Sequence, residues 1–212
     1  MKKHFTNFDL KLIAIIAMTI DHIGYFLLPS VTWLRIIGRI AFPLFAFLCA
    51  ESFRYTKDKK SYVLRLIVLG ALYTIAQFIL VNRTTSDVFL TLGLGFLVLW
   101  SMERNKPLLT ALFFVFGIII QVDYSWYGLC MIPMMYYLKD KRIWMLVVMI
   151  IMNIIFIFIG DSSPTQIFST ISLVFIGCYN DELGYKGMKW LFYLYYPLHI
   201  AVLIAMAYLI YS

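Results

Sequence analysis

The chain has 212 residues, of which 63% are hydrophobic and 14% charged. That apolar share lies above, and that charge below, what a water-exposed domain of this size carries, because part of every soluble chain must face solvent. The formal net charge is +7, but Lys and Arg fall in short clusters between apolar runs and form no single basic face, which argues against a nucleic-acid partner.

Long apolar runs without alternation predict an all-α fold, a polytopic transmembrane helical bundle forming one integral membrane domain over residues 1–212. In lipid the backbone must satisfy its own polar groups, and helices do so segment by segment. In chain order the predicted spans are 10–28, 34–53, 62–81, 86–102, 108–122, 126–138, 143–160, 165–179 and 190–210, about nine in all. The fifth, sixth and eighth are short against the ~20 residues a bilayer needs, so a count of eight or ten also fits. The first run leads straight into a chain of similar segments and reads as a transmembrane helix, not a cleavable leader.

The connections sort by charge. One set holds Lys2 and Lys3; Arg54, Lys57, Lys59 and Lys60; Arg104 and Lys106; Lys139, Lys141 and Arg142; and Lys186 and Lys189. The alternate set holds Arg83, within the sequon Asn82-Arg83-Thr84. The positive-inside rule places the rich set, and with it the N-terminus, in the cytoplasm. The bilayer is therefore the first expected partner, and the cell membrane the expected location. Cys49, Cys130 and Cys178 lie in apolar surroundings without CxxC or metal-like spacing, so they read as small hydrophobes and no metal is expected.

A few ionisable residues stand inside these runs, where charge needs a partner, a wet cavity or a function. Asp21 and His22 occupy the outer half of the first span. Arg35 and Arg39 enter the second from the same side, four apart and so on one helix face. An Asp–Arg pair there would offset desolvation and leave an electropositive patch suited to a phosphate or carboxylate. Asp21 and His22 are adjacent and must point in different directions. Lys11 shares a face with His22 but lies roughly 16 Å away along the helix. His199, two residues after Pro197 in the last span, sits at a depth close to that of His22. Two histidines and a carboxylate permit general-base chemistry. His4 is expected in solvent.

Asp87, Asp123 and Asp161 read as caps or loop residues at outer helix ends. Asp123 is the one retained as a substrate-binding candidate, among Gln121, Tyr124, Trp126 and Tyr127. Glu51, with Arg54 and Arg65 nearby in sequence, fits an ion pair or a substrate contact. Gly24, Gly38, Gly93 and Gly95 fit close helix packing.

The blocks LKLIAIIAMTIDHIGYFLLP and LRIIGRIAFPLFAFLCAESFRYTKDKKSYVLRL resemble the TraX family of polytopic membrane proteins. The likeness continues through VFLTLGLGFLVLW, VDYSWYGLCMIPMMYYL and YYPLHIAVL, nearly the whole chain. What it implies is an integral inner-membrane protein related to N-terminal acetylation of a conjugative pilin. The chain is also similar to a wider group of bacterial membrane acyltransferases that carry a basic residue, ten intervening residues and a His in the first helix, matched here by Lys11 and His22. That resemblance implies acyl transfer from acetyl-CoA to an amine or hydroxyl of a peptide or glycan. His22 would be the base, Asp21 or another carboxylate would assist, Arg35 and Arg39 would meet donor phosphates or the oxyanion, and Lys11 would meet the CoA. No cofactor is expected to be bound, acetyl-CoA being a substrate. A cytoplasmic donor would have to reach a site in the outer half, through a pore or a locally thin bilayer. Two other classes fit the same charges: a transporter of a small anionic or proton-coupled solute, and an assembly factor that grips pilin-like helices.

Overall fold

The computed structural model describes residues 3–81, 87–160, 162–185, 187 and 189–211. Lys2, the Asn82-Arg83-Thr84 sequon, Asp161 and Lys186 lie outside the described residues. The chain forms α1 (Asn7–Phe26), α2 (Thr32–Gly38), α3 (Ala41–Tyr55), α4 (Lys59–Val81), α5 (Val88–Glu103), α6 (Pro107–Ile119), α7 (Ser125–Tyr137) and α8 (Arg142–Ile159). A 3-10 helix (Pro164–Ile171), α9 (Ser172–Gly177) and α10 (Lys189–Tyr211) complete it. Thr32–Tyr55, Arg142–Ile159 and Tyr193–Tyr211 are long and apolar enough to cross a membrane, and Val88–Glu103, Pro107–Ile119 and Pro164–Gly177 are shorter apolar segments. Large apolar side chains stand exposed along them, including Ile143, Trp144 and Phe158 of α8 and Leu198, Val202 and Leu209 of α10. Water would not tolerate so continuous a patch, and lipid covers it without cost. The protein is a multi-pass membrane protein with a helical fold.

Two compact units divide the chain. One contains residues 1–45 and 146–212, the other residues 46–145.

In the first unit, α1 begins three residues before the predicted span because a capping box starts it. Thr6 Oγ1 accepts from the Asp9 amide at 3.3 Å, and Asp9 Oδ2 accepts from the Thr6 amide at 2.8 Å. Just before it the chain is held by residues 178–183. The amides of His4 and Phe5 donate to the Cys178 carbonyl (2.8 and 3.0 Å), and the Asn7 amide donates to Glu182 O (2.7 Å). His4 itself is exposed, as expected. The predicted span 34–53 is not one helix. It breaks at Arg39–Ile40, where the Ile40 amide turns back to Ile37 O at 3.4 Å. Pro43 is the cause, since it supplies no N–H to the Arg39 carbonyl and its ring crowds that carbonyl. The predicted span 165–179 also departs from regular α-helix, opening with eight residues of 3-10 helix behind a Ser163 cap and Pro164. At about 2.0 Å rise per residue this form is longer than an α-helix of equal residue number, and it stacks side chains three apart.

Glycines set the spacing of α1 and α2. A Cβ on Gly24 would come 2.8 Å from Leu34 Cβ, and one on Gly38 would overlap the Asp21 side chain. In the second unit α4, α6 and α7 pack on α5. There Gly93 faces Ile67 and Gly95 faces Ile132. Hydroxyls tie these helices together without a charge. Thr91 Oγ1 donates to Asp123 O at 2.9 Å, and Ser101 Oγ meets Thr110 Oγ1 at 2.8 Å. The one deeply buried carboxylate of α3, Glu51 at 1% exposure, takes Lys139 Nζ at 2.7 Å and Arg54 Nε at 3.4 Å.

Two stability effects follow from this packing. Gly38→Ala gains about 1 kcal/mol of helix propensity, but forcing a methyl into the Asp21 side chain costs about 1–3 kcal/mol; the purified variant is expected to melt below wild type, and a higher melting temperature would show that the contact yields. Glu51→Gln takes the carboxylate from two cations and is expected to cost roughly 3–5 kcal/mol, seen as a large fall in thermal midpoint; a Glu51 that merely touched substrate would leave that midpoint unchanged.

Candidate functional site

Successive residues on a helix project about 100° apart, and α1 uses that rotation to send Asp21 and His22 to different neighbours. Asp21 turns to α2. Its Oδ2 accepts from Arg35 Nη1 at 2.6 Å, and the same nitrogen donates to the Asp21 carbonyl at 3.1 Å. The pair is mostly removed from solvent, with side chains 14% and 24% exposed. The carboxylate lies over Gly38, one helical turn beyond Arg35, which lets the two helices close around it. Arg35 also lies 5.2 Å from the centre of the Tyr25 ring.

The two arginines divide. Arg39 closes the last turn of α2, its amide donating to the Arg35 carbonyl at 3.2 Å, and its Nη1 reaches Gln166 Oε1 at 3.5 Å while Arg35 holds Asp21. Its Nε is buried without a hydrogen-bond acceptor, and so is Asp21 Oδ1 without a donor.

His22 turns to α10. Its Nδ1 lies 2.7 Å from His199 Nε2, and His199 Nδ1 lies 2.8 Å from the Tyr195 carbonyl oxygen. The His22 and His199 ring planes differ by 15° with centroids 5.0 Å apart, so the nitrogen–nitrogen bond runs close to the plane of both rings. A carbonyl oxygen only accepts. In the neutral pair His199 therefore carries its proton on Nδ1, its Nε2 accepts, and His22 carries its proton on Nδ1. That leaves the lone pair of His22 on Nε2, pointing away from His199. Tyr196 and Phe26 set their rings against His22 at centroid distances of 6.3 and 6.1 Å. A second tie fixes the same two helices. Thr19 Oγ1 donates to Ile15 O at 2.8 Å, so its lone pair accepts the Tyr195 hydroxyl, also at 2.8 Å. Pro197 sits inside α10 without interrupting it.

The remaining candidates lie elsewhere. Lys11 is half-buried on α1, eleven residues before His22, and no element brings it to the histidine pair. Glu51 belongs to the second unit and is held by Lys139 and Arg54. Asp123, also there, is an exposed turn residue whose Oδ1 accepts from the Tyr124 amide at 3.0 Å. Asp87 occupies the N-cap position of α5 and is buried. Cys49 is buried and Cys130 and Cys178 are half-buried, all as thiols.

Four residues were not anticipated. Asn153 of α8 and Gln166, Ser169 and Ser172 of the 3-10 helix and α9 are each fully buried. Ser169 Oγ donates to Asn153 Oδ1 at 3.0 Å. The signal in the sequence is a spacing of three polar residues within an apolar run, the period of a 3-10 helix.

A stretch of 93 residues is 43% identical to an uncharacterized protein of Rickettsia prowazekii, covering 42% of this chain and 36% of that protein, so the chain matches about a third of that relative's length. Over an alignment of 238 positions, covering 94% of each chain, it is 27% identical to the probable fimbrial assembly protein FimC, serogroup H1, of Dichelobacter nodosus. No solved structure matches the chain with significance. Residues 8–207 match the family described as TraX protein, and with nearly its whole length so matched, the chain belongs to the TraX family.

Proposed function

We propose that the protein is a membrane acyltransferase that moves an acetyl group from acetyl-CoA to an amine or hydroxyl of a peptide or glycan acceptor. Membership of the TraX family supports acyltransferase-type activity in general terms. The observation that carries the residue assignment is the chain His22 Nδ1···His199 Nε2···Tyr195 O, which in the neutral, part-buried pair turns the free lone pair of His22 away from His199.

In this reading the acceptor N–H or O–H meets His22 Nε2. As its nitrogen or oxygen attacks the thioester carbonyl, the proton passes to Nε2. The tetrahedral oxyanion then collapses, the carbon–sulfur bond breaks, and the CoA thiolate leaves and takes the proton back from His22. His199 accepts the hydrogen bond of His22 Nδ1 throughout and spreads the transient positive charge. Asp21 and Arg35 hold α1 at the rotation that presents His22. Arg39 supplies the positive charge of the substrate-binding region, and Lys11, roughly 16 Å away along α1, meets the donor at its cytoplasmic end. Glu51 stabilises the fold through its two cations. Asp123 stays a candidate contact for the acceptor at the outer face.

We further propose the nine-span topology with a cytoplasmic N-terminus and one integral domain. The hydrogen bonds between residues 4–8 and 178–183, two segments that this topology puts on one face, support it. The description of the Dichelobacter relative as a probable fimbrial assembly protein favours a pilin-like peptide as acceptor. The same description also fits a non-catalytic assembly factor, in which the charges serve only to hold helices together.

Purified protein, labelled acetyl-CoA and membrane extract separate these readings. His22→Ala is expected to abolish label transfer while elution and melting stay near wild type. Near-normal transfer by that variant, or an intact wild type that labels nothing, would remove the assignment. His199→Leu leaves the Nδ1–H of His22 without an acceptor and is expected to slow transfer about a hundredfold, within the usual range for a general base. His199→Gln, which offers a carbonyl oxygen in the same direction, is expected to recover part of that loss. Equal rates for Leu and Gln variants would show that His199 only fills space.

A further inference from the structure

From the seam between α1 and α10 we infer that Thr19 and Tyr195 are positioning residues, a hydroxyl pair that holds α10 at the register where His22 Nδ1 meets His199 Nε2. The consequence for turnover rests on the acyl-transfer reading, whereas the effect on the histidine tautomers does not.

Lipid makes polar contacts decisive here. Acyl chains solvate an apolar helix face as well as a neighbouring helix does, so apolar packing alone gives α10 little preference for one placement on α1. Leu194, Leu198, Val202 and Leu209 of α10 stand exposed to that solvent. Toward α1, two hydrogen bonds lie a turn apart. The Tyr195 hydroxyl meets Thr19 Oγ1 at 2.8 Å, and His22 Nδ1 meets His199 Nε2 at 2.7 Å. Thr19 precedes His22 by three residues and Tyr195 precedes His199 by four, so the helices run parallel along this seam. By helix rise the two rungs are separated by roughly 4.5 Å along α1 and roughly 6 Å along α10. A single bond between two helices still permits sliding and rotation about it, and a second bond one turn away removes both.

Each partner of the first rung is itself held. Thr19 Oγ1 donates its proton to the Ile15 carbonyl at 2.8 Å, which leaves its lone pair for Tyr195. The Tyr195 ring lies within 11° of the His199 plane with centroids 5.0 Å apart, and the Tyr195 carbonyl accepts from His199 Nδ1 at 2.8 Å. Tyr195 thus touches His199 through its ring and backbone, and α1 through its hydroxyl. Removing the hydroxyl leaves the first two contacts and cuts only the tie to α1. His199 then keeps its proton on Nδ1, while His22 loses the fixed acceptor that keeps a proton on its own Nδ1.

Tyr195→Phe isolates that tie and orphans no donor, since Thr19 still bonds Ile15. The chain has three histidines, so ring-nitrogen spectra of the full-length protein, isotopically labelled at histidine in neutral detergent, resolve each tautomer. The exposed His4 serves as the solvent reference. At a pH where imidazoles are uncharged, wild type is expected to show Nδ1–H at both His22 and His199. In Tyr195→Phe, His199 is expected to stay so and His22 to move to the tautomer mixture of His4. Acetyl transfer is expected to fall about tenfold, short of the roughly hundredfold that a misplacement of about 1 Å costs. Thr19→Val is expected to give the same shift, Thr19→Ser to restore the wild-type spectrum, and the double variant to be no worse than either single one. A tie that only held the fold would lower the melting temperature and leave His22 as in wild type. That result, or a wild type without Nδ1–H at His22, would overturn the inference. An inactive wild type would remove the acyl-transfer reading instead, and the spectra would still decide this one.

Discussion

An ionised side chain taken out of water must meet its opposite charge, and in the first unit the pairing of Asp21 with Arg35 at 2.6 Å is the contact on which the rest of the site depends. The bond fixes more than a distance. Arg35 also reaches the Asp21 carbonyl, so α2 grips both the side chain and the backbone of α1. Gly38 and Gly24 remove the methyl groups that would hold the helices apart. With Asp21 turned toward α2, the neighbouring residue has to project elsewhere, and His22 falls against α10. The rotation of one helix is thus set by an electrostatic contact that does no chemistry.

What His22 finds on α10 is a hydrogen-bond chain with a fixed order. Two imidazoles in a bilayer could satisfy one another in any tautomer if both outer nitrogens were left to chance. Here the Tyr195 carbonyl takes the Nδ1 proton of His199, and the order of donors and acceptors is determined from that end to the other. The Tyr195 hydroxyl is itself anchored on Thr19. Contrast Glu51, whose two oxygens meet two cations. Glu51 thus serves the fold through its partners, whereas the proposed mechanism uses the outer nitrogen of His22.

The residues that sequence made legible are those whose partners lie close along the chain. Asp21 and Arg35 sit on consecutive apolar segments with a short turn between them, so their pairing follows from adjacency. Helical rotation alone separates Asp21 from His22. Depth put His22 and His199 at one level, yet 177 residues separate them, and periodicity carries no information about which helices become neighbours. The break after Gly38 was visible as Pro43 but was read through by an apolar run long enough to span. Arg39 stays one helical turn from Arg35, as four-residue spacing implies, since its amide donates to the Arg35 carbonyl at 3.2 Å, but its guanidinium reaches Gln166. The polar column escaped because an apolar segment was read at the α-helical period, at which Gln166, Ser169 and Ser172 drift around the axis instead of stacking.

A neutral imidazole pair has a physical advantage over a carboxylate base at this depth. A carboxylate must be charged to accept a proton, so its resting state bears the desolvation cost continuously. In the proposed mechanism the histidine pair would rest uncharged and become cationic only while it held the acceptor's proton. In that mechanism a proton on His22 Nε2 leaves the Nδ1 proton in the 2.7 Å nitrogen–nitrogen contact with His199, a ring already bonded to a carbonyl oxygen. Asp21, one residue from His22, is turned to α2, where its Oδ2 accepts from Arg35. In that mechanism the cost of charge would be confined to the interval of proton transfer, the only interval in which a general base needs it.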